Sequence, residues 1–322
     1  MKFVRHAVIA ALLASMTVPG AAQSNYPERN IRLLYGFPAG ADTIVRLLAD
    51  RLAETFGKAV IVENLTGAAG NIAADRTAKA APDGYTIGML PSANVVINVS
   101  LYNKLSFDPA KDLVPVTQVY GYPNVLVINN DVPAKSVAEL VALARAQPGK
   151  LTFGHSGIGT TQHLGGELFK SMARIDVQDV PYRGPPQIVS DLLGGRITMS
   201  LLPPGGFYPL MKEGRIRPLA VTSSKRAPFF PDLPTMIEAG FPGFDMTVWF
   251  GLFVPAGTPA FVIDRLHGET TRFVEQEDVR KKYYDVGLTP LNNTPAQFAE
   301  MIKAETPYWA RVIKELGIGR ID

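Results

Sequence analysis

Ile31-Arg32-Leu33-Leu34-Tyr35 is followed by Gly36-Phe37-Pro38-Ala39-Gly40-Ala41-Asp42, and then by a run with Ile44, Leu47, Leu48, Leu52 and Phe56 on one helical face before Gly57. The first block is short, apolar and rich in strand formers. The second is a small-residue turn. The third repeats with the period of an amphipathic helix, which Gly57 stops. Outward from this unit the grammar continues. Val60-Ile61-Val62 reads as a second strand, Asn71 to Ala80 as a second helix, Pro82-Asp83-Gly84 as a turn and Thr86 to Leu90 as a third strand. A β-α-β-α-β order implies a parallel sheet covered by helices.

The middle of the chain repeats the pattern. Val125-Leu126-Val127-Ile128, Leu151-Thr152-Phe153, Ile197 to Leu202 and Pro218 to Val221 read as strands. Ser136-Val137-Ala138-Glu139 has capping-box spacing, with the Ser oxygen taking one free N–H and Glu139 reaching back to another. A helix is expected from about Thr160 to Met172, with Leu164, Leu168 and Met172 on one face. Ser223 to Phe244 is rich in Pro and Gly and reads as an irregular connection, followed by a strand at Gly251-Leu252-Phe253-Val254. Thr258-Pro259 and Thr294-Pro295 both have the form of a Thr N-cap with Pro at the first helical position, so the last stretch is mainly helical. The expectation is two α/β lobes: 23–124 with 250–322, and 125–249 between them.

At the N-terminus, Lys2 and Arg5 precede an uncharged run from Ala7 to Val18, then Pro19 and the small residues Gly20-Ala21-Ala22. This is the pattern of a secretory signal with cleavage after Ala22, giving a mature start at Gln23 and a periplasmic location. The apolar run is shorter than the roughly 20 residues a bilayer-spanning helix needs, so no membrane insertion is expected. The chain has no Cys, which removes disulfides, a thiolate nucleophile, Cys-ligated metal and a lipid anchor on Cys. Of 322 residues, 32 are Lys or Arg and 29 are Asp or Glu, a formal charge of +3. Losing Lys2 and Arg5 brings this near zero, and the densest basic run, Arg280-Lys281-Lys282, lies beside acids, so nucleic acid is not an expected partner.

Three small-residue turns each follow a strand and open a helix: Gly36 to Asp42, Pro91-Ser92-Ala93-Asn94, and Gly154-His155-Ser156-Gly157-Ile158-Gly159-Thr160-Thr161. In a parallel α/β sheet such turns lie at the carboxyl edge, where ligands bind. Helix N-termini there offer unpaired N–H groups and partial positive charge to a carboxylate or phosphate. Ordinary turns use Gly as well; three such turns spread over two lobes favour a cleft.

Enzyme motifs fit poorly. Gly154-His155-Ser156-Gly157-Ile158 lacks the second Gly of a nucleophile elbow, and Gly157-Ile158-Gly159-Thr160-Thr161-Gln162 ends on Gln where a dinucleotide fingerprint needs Gly or Ala. His155 and His163 have no acidic third ligand at metal-site spacing. No metal or cofactor is expected, His163 is read as packed or bonded on its own helix, and Asp42 as a helix cap.

Taken in order, several segments resemble the extracytoplasmic solute receptors of tripartite tricarboxylate transporters, the Bug proteins. They are Phe37-Pro38-Ala39-Gly40 with Asp42, Val62-Glu63-Asn64 leading to Gly67-Ala68-Ala69-Gly70-Asn71, Ala80 to Thr86, Leu101-Tyr102, Phe107-Asp108-Pro109, Ser156 to Leu164, Pro181-Tyr182-Arg183-Gly184, Asp191 to Gly195, and Gly251 to Pro259. The resemblance implies a type II periplasmic-binding-protein fold, two α/β lobes joined by a hinge with the ligand cleft between them. It implies a small organic carboxylate as ligand: a dicarboxylate, tricarboxylate, acidic amino acid or aromatic acid. Membrane transporter subunits would be the partners and the chain would be a monomer. It places the ligand contacts at Phe37, Pro38, Ala39, Gly40, Ala41, Ser92 and Ala93 in the first lobe. In the second it places them at Ser156, Gly157, Thr160 and Thr161, with Tyr182, Arg183 and Gly184 nearby. Whether Arg183 pairs with the ligand or is structural stays open.

The chain departs from the pattern at the short Gly40-Ala41-Asp42 turn, at Pro185-Pro186, at Thr198 in place of a common Asp, and at Leu202-Pro203-Pro204-Gly205-Gly206. These changes are expected to reshape the cleft wall toward an apolar or aromatic ligand. A receptor presenting its closed form to a membrane sensor kinase uses the same closure, and an exported hydrolase is disfavoured by the missing Ser/His/Asp set.

Overall fold

The computed structural model describes residues 25–39, 42–205 and 207–320. The expected signal segment, 1–22, and Gly40 and Ala41 lie outside these residues.

In chain order the first part comprises β1 (Ile31–Tyr35), α1 (Thr43–Phe56), β2 (Val60–Asn64), α2 (Asn71–Ala78), β3 (Thr86–Pro91), α3 (Asn98–Leu101), α4 (Pro109–Asp112) and β4 (Leu113–Pro123). A wide π-type turn over Ala93–Ile97 leads into α3. The second part holds β5 (Val125–Ile128), α5 (Val137–Ala146), β6 (Thr152–His155), α6 (Thr161–Ala173), β7 (Gln178–Pro181), α7 (Pro185–Leu193), β8 (Met199–Leu202), α8 (Tyr208–Lys212) and β9 (Arg217–Val221). The chain then returns through β10 (Thr247–Pro255), α9 (Ala260–Val274), α10 (Glu277–Asp285), β11 (Thr289–Pro290) and α11 (Pro295–Glu315).

The first sheet runs β11-β4-β10-β3-β1-β2 and the second β7-β6-β8-β5-β9. In each, three neighbouring strands pair in parallel: β1 with β2 and β3, and β6 with β7 and β8. In each, the strand arriving from the other lobe inserts antiparallel, β10 between β3 and β4, and β5 between β8 and β9. The two-lobe α/β arrangement expected of a type II periplasmic binding fold is present.

The burial pattern explains why β1 reads as a near-continuous apolar run. Both faces of a parallel sheet are covered, so the strand alternates between two cores rather than between core and water. Leu33 and Tyr35 join one apolar cluster with Leu48, Leu52 and Leu266, while Leu34 joins another with Leu90 and Val96. The exception, Arg32, forms a bidentate pair with Glu63 of the neighbouring strand at 2.6 and 2.8 Å. The second cluster continues into the other lobe through Met246 to Leu126, Phe153 and Phe169. A third, with Val125, Ile188, Leu192 and Met211, covers the opposite face of the second sheet.

Three local expectations are corrected. Thr258 does not cap α9: its hydroxyl donates to the Pro255 carbonyl, and Pro259 takes the N-cap position. Ser136 accepts from the Glu139 N–H as expected, but the Glu139 carboxylate accepts from the Lys135 N–H, one residue before the cap. Asp42 stands at the α1 N-cap without a capping hydrogen bond; its carboxylate pairs with Arg46 at 2.7 Å and accepts from Asn64 Nδ2 at 3.0 Å. A reciprocal capping box occurs instead at Thr294 and Gln297, opening α11.

Candidate functional site

The connections between the lobes fix where a ligand can sit. β4 ends at Pro123, Asn124 follows, and β5 begins at Val125. On the return, Thr247 of β10 pairs with Pro123. Thr222 pins these crossovers together. Its hydroxyl accepts from the Asn124 N–H at 2.9 Å and donates to the Met246 carbonyl at 3.1 Å. Its own N–H donates to the Asn124 carbonyl, and its carbonyl accepts from the Met246 N–H. β4 runs parallel to β1–β3, so it leaves the first sheet at their carboxyl edge. β5 runs antiparallel to β6–β8, so it enters the second sheet at theirs. The two carboxyl edges therefore face each other across the double crossover, the location where open α/β sheets bind ligands.

On the first lobe the turn after β1 brings Phe37, Pro38 and Ala39 to this edge. The Phe37 ring packs against Tyr35 at 5.3 Å and Phe250 at 5.8 Å, and its carbonyl accepts from Asn64 Nδ2. Ser92 and Ala93 start the turn after β3, with Ser92 buried. A third loop, after β2, belongs here. Gly67, Ala68, Ala69 and Gly70 all have positive φ, at 127°, 46°, 51° and 92°. The two alanines carry strain of about 1–3 kcal/mol each. Asn94, fully buried, holds the loop: its Nδ2 donates to the Ala69 carbonyl at 3.1 Å and to Asn71 Oδ1 at 2.8 Å. Asn98 donates to the same Asn71 oxygen. The loop lies against the β1 turn so closely that a Cβ on Gly36 would fall 2.6 Å from Gly70 Cα.

On the second lobe, Ser156–Thr160 wraps over the N-terminus of α6. Gly157 and Gly159 take positive φ, which lets the loop reverse direction tightly. The Thr160 hydroxyl is spent on the loop itself, accepting from the His163 N–H and donating to the Gly157 carbonyl. Two hydroxyls remain for a ligand. Ser156 Oγ is buried without a hydrogen-bond partner, and Thr161 Oγ1 accepts from Asn124 Nδ2 at 3.4 Å, leaving its own hydrogen to donate.

His163 bonds back to the loop rather than along its own helix, its Nδ1 accepting from the Gly159 N–H at 3.4 Å. The His155 and His163 rings lie 4.8 Å apart. Burial, and then His155, push the His163 pKa down to about 4, and burial lowers that of His155, so both are neutral near pH 7. Among the described residues no group of three His, Asp or Glu side chains is arranged to hold a metal.

Tyr182, Arg183 and Gly184 form the turn after β7. The Tyr182 hydroxyl is committed to Asp191 at 2.8 Å, and its N–H donates to the His155 carbonyl. Arg183 is exposed, its N–H donating to Gln187 Oε1. Gly184 is the N-cap of α7, and Pro185 and Pro186 are its first two residues. Thr198 is not part of the cleft wall. It exchanges hydrogen bonds with Thr152 at the amino ends of β6 and β8, the far side of the sheet, so its substitution for Asp acts on strand pairing. Among the described residues, no helix is long and apolar enough to cross a membrane.

Comparison with known proteins fits this geometry. The family model for the tripartite tricarboxylate transporter family receptor matches residues 44–318. Protein BugT of Bordetella pertussis is 34% identical over 315 residues, covering 97% of this chain and 97% of BugT. Among solved structures, Rpa4515 of R. palustris with adipate superposes with a TM-score of 0.84 at 35% identity, over 92% of this chain and 100% of the other. MatC from Rhodopseudomonas palustris with bound malate gives 0.79 at 30% identity, over 89% and 100%.

Proposed function

The chain belongs to the tripartite tricarboxylate transporter receptor family of periplasmic solute-binding proteins, and we propose that it captures a small carboxylate between its lobes and delivers it to the membrane subunits of such a transporter. One observation carries this reading: the facing carboxyl edges converge on the α6 N-terminus, where Ser156 and Thr161 offer hydroxyls. The backbone N–H groups and helix dipole at that end favour an anion. The lobes divide at Asn124 and just before Thr247, where β10 joins the first sheet, three residues ahead of the expected 249/250 boundary. Phe37, Pro38, Ala39, Ser92 and Ala93 form the first-lobe wall. Ser156, Gly157, Thr160 and Thr161 form the cradle, with Tyr182–Gly184 beside it. Closure about Asn124 and Thr222 follows because the ligand bonds to both lobes only when they are shut, and so favours that state by its differential affinity. Ser156 Oγ has no base within hydrogen-bond reach, in keeping with binding rather than turnover. The exported chain starts at Gln23.

The test is a thermal-shift screen with a panel of carboxylates, sugars and cations, followed by calorimetry. An acid at 100 times its Kd stabilises the protein by about 2.7 kcal/mol. A shift with sugars or cations and none with any acid overturns the assignment.

A further inference from the structure

Resting on the reading of a receptor that closes about Asn124 and Thr222, we infer that Ile72 of the first lobe and Ile158 of the second form an apolar latch, meeting across the mouth of the cleft when the lobes are shut. The placement follows from which face of each sheet a helix covers. Ala73 and Ala74 of α2 join Leu164 and Phe169 of α6 in the one apolar cluster that runs through both lobes. α1 and α7 cover the opposite faces, with Leu48 and Leu192 in separate clusters. α2 follows β2 and α6 follows β6, so both helices start at a carboxyl edge. The two edges face each other, so the loops that open α2 and α6 oppose one another on the same side of the cleft.

Each of these helix starts carries one large apolar side chain that its own lobe leaves uncovered. Ile72 is 43% exposed and Ile158 59% exposed, and neither belongs to an apolar cluster of its lobe. Ile158 stands between Gly157 and Gly159, both at positive φ, at the tip of a tight reversal. Ile72 lies in the first turn of α2. Side chains on a helix lean toward its N-terminus, which here is the cleft edge. Ile72 does so, since a Cβ on Gly67 would fall 2.7 Å from its Cδ1. Its footing is stiff, because the side chain of the preceding Asn71 accepts from both Asn94 and Asn98. A single exposed isoleucine is ordinary. Two on opposed loops lose water together on closing, which favours the shut state without any contact to the ligand. The latch thereby sets how tightly every ligand is held and leaves the choice among ligands to the cradle.

The chain has no Cys, so a pair of introduced thiols reports directly on the approach of the two sites, because a disulfide needs Cα atoms about 4–7 Å apart. Ile72→Cys with Ile158→Cys, oxidised by diamide without ligand, is expected to cross-link about tenfold or more faster than Ile61→Cys with Ile158→Cys, since the free lobes sample the shut state. Ile61 is also exposed but sits at the amino end of β2, away from the cleft. Adipate or malate should speed the first pair further. Calorimetry reads the energetics. Ile72→Ser and Ile158→Ser should each weaken adipate and malate by a common factor of about five, and the double variant by about five rather than about twenty-five, because one contact is lost only once. No preferential cross-linking without ligand overturns the latch. So do unchanged affinities in the single variants, losses that multiply in the double variant, or a loss confined to one acid. Preferential cross-linking without ligand, combined with a parent that responds to sugars or cations and to no acid, upholds the latch and overturns the carboxylate reading instead.

Discussion

Asn94→Ala separates the support of the cleft from its surface. Asn94 is fully buried, follows Ala93 of the first-lobe wall, and holds the Gly67–Asn71 loop through its side chain. The substitution removes two hydrogen bonds from Nδ2, each worth about 1 kcal/mol net. Those bonds help hold Ala68 and Ala69 at φ 46° and 51°, a conformation that costs about 1–3 kcal/mol per residue. Without them the loop relaxes, which returns part of the loss, so global stability should fall by about 1–2 kcal/mol in urea unfolding. Binding then has to rebuild the loop. The cost is bounded by the two lost bonds, about 2 kcal/mol, so carboxylate affinity should fall by up to about thirtyfold in calorimetry. Asn94→Asp should be worse than Ala, because a carboxylate oxygen would face the Ala69 carbonyl and Asn71 Oδ1, both acceptors. The reasoning is refuted if the Asp variant is the milder one. It is equally refuted if the Ala variant loses stability while its affinity stays within about twofold of the parent.

Other perturbations give separate readouts. Gly36→Ala puts a methyl 2.6 Å from Gly70 Cα, backbone that cannot swing aside, and should cost about 1–3 kcal/mol together with weakened carboxylate binding; unchanged unfolding would mean the two loops are not in contact. Thr294→Ala breaks the capping box of α11 and should cost about 1 kcal/mol in urea unfolding, with affinity untouched. Glu305 accepts from Trp249 Nε1 at 2.9 Å, and burial raises its pKa to about 6 despite that bond. The folded state therefore holds the proton more tightly, so this contribution to stability is complete below about pH 4.5 and is lost as pH rises through about 6. Glu305→Gln should gain about 1–2 kcal/mol over the parent at pH 8 and nothing at pH 4.5; a flat difference across that range would contradict the assignment. His163 titrates in the opposite sense: its pKa, lowered to about 4, makes stability fall as pH drops from about 6.5 to about 4. Its ring resonances in NMR should titrate near 4 rather than 6.5.

Much of the fold was legible because its signals are local. The alternation of strand and helix, the αL glycine at Gly57 and the Thr294-Pro295 helix start each involve a few neighbouring residues. The same holds for the α6 cradle, whose Thr160 cap, Gly157 and Gly159 lie in one short segment. What stayed illegible was how shared atoms are divided among competing partners. The Thr160 hydroxyl is shared between the His163 N–H and the Gly157 carbonyl, and the Asp42 carboxylate is tied to Arg46 and Asn64 rather than to the start of α1.

By itself the sequence determined two α/β lobes, helix N-termini following the strands, and a chain without cysteine chemistry, because periodicity and turn residues act over a few positions. Only the tertiary structure decided that the Gly67–Gly70 loop is a left-handed turn held by Asn94, that Thr198 lies on the far side of its sheet, and that half-buried Glu305 accepts from Trp249. The physical reason is separation along the chain. Asn94 and Ala69 are 25 residues apart and Trp249 and Glu305 are 56, distances over which only packing brings two groups within hydrogen-bond reach.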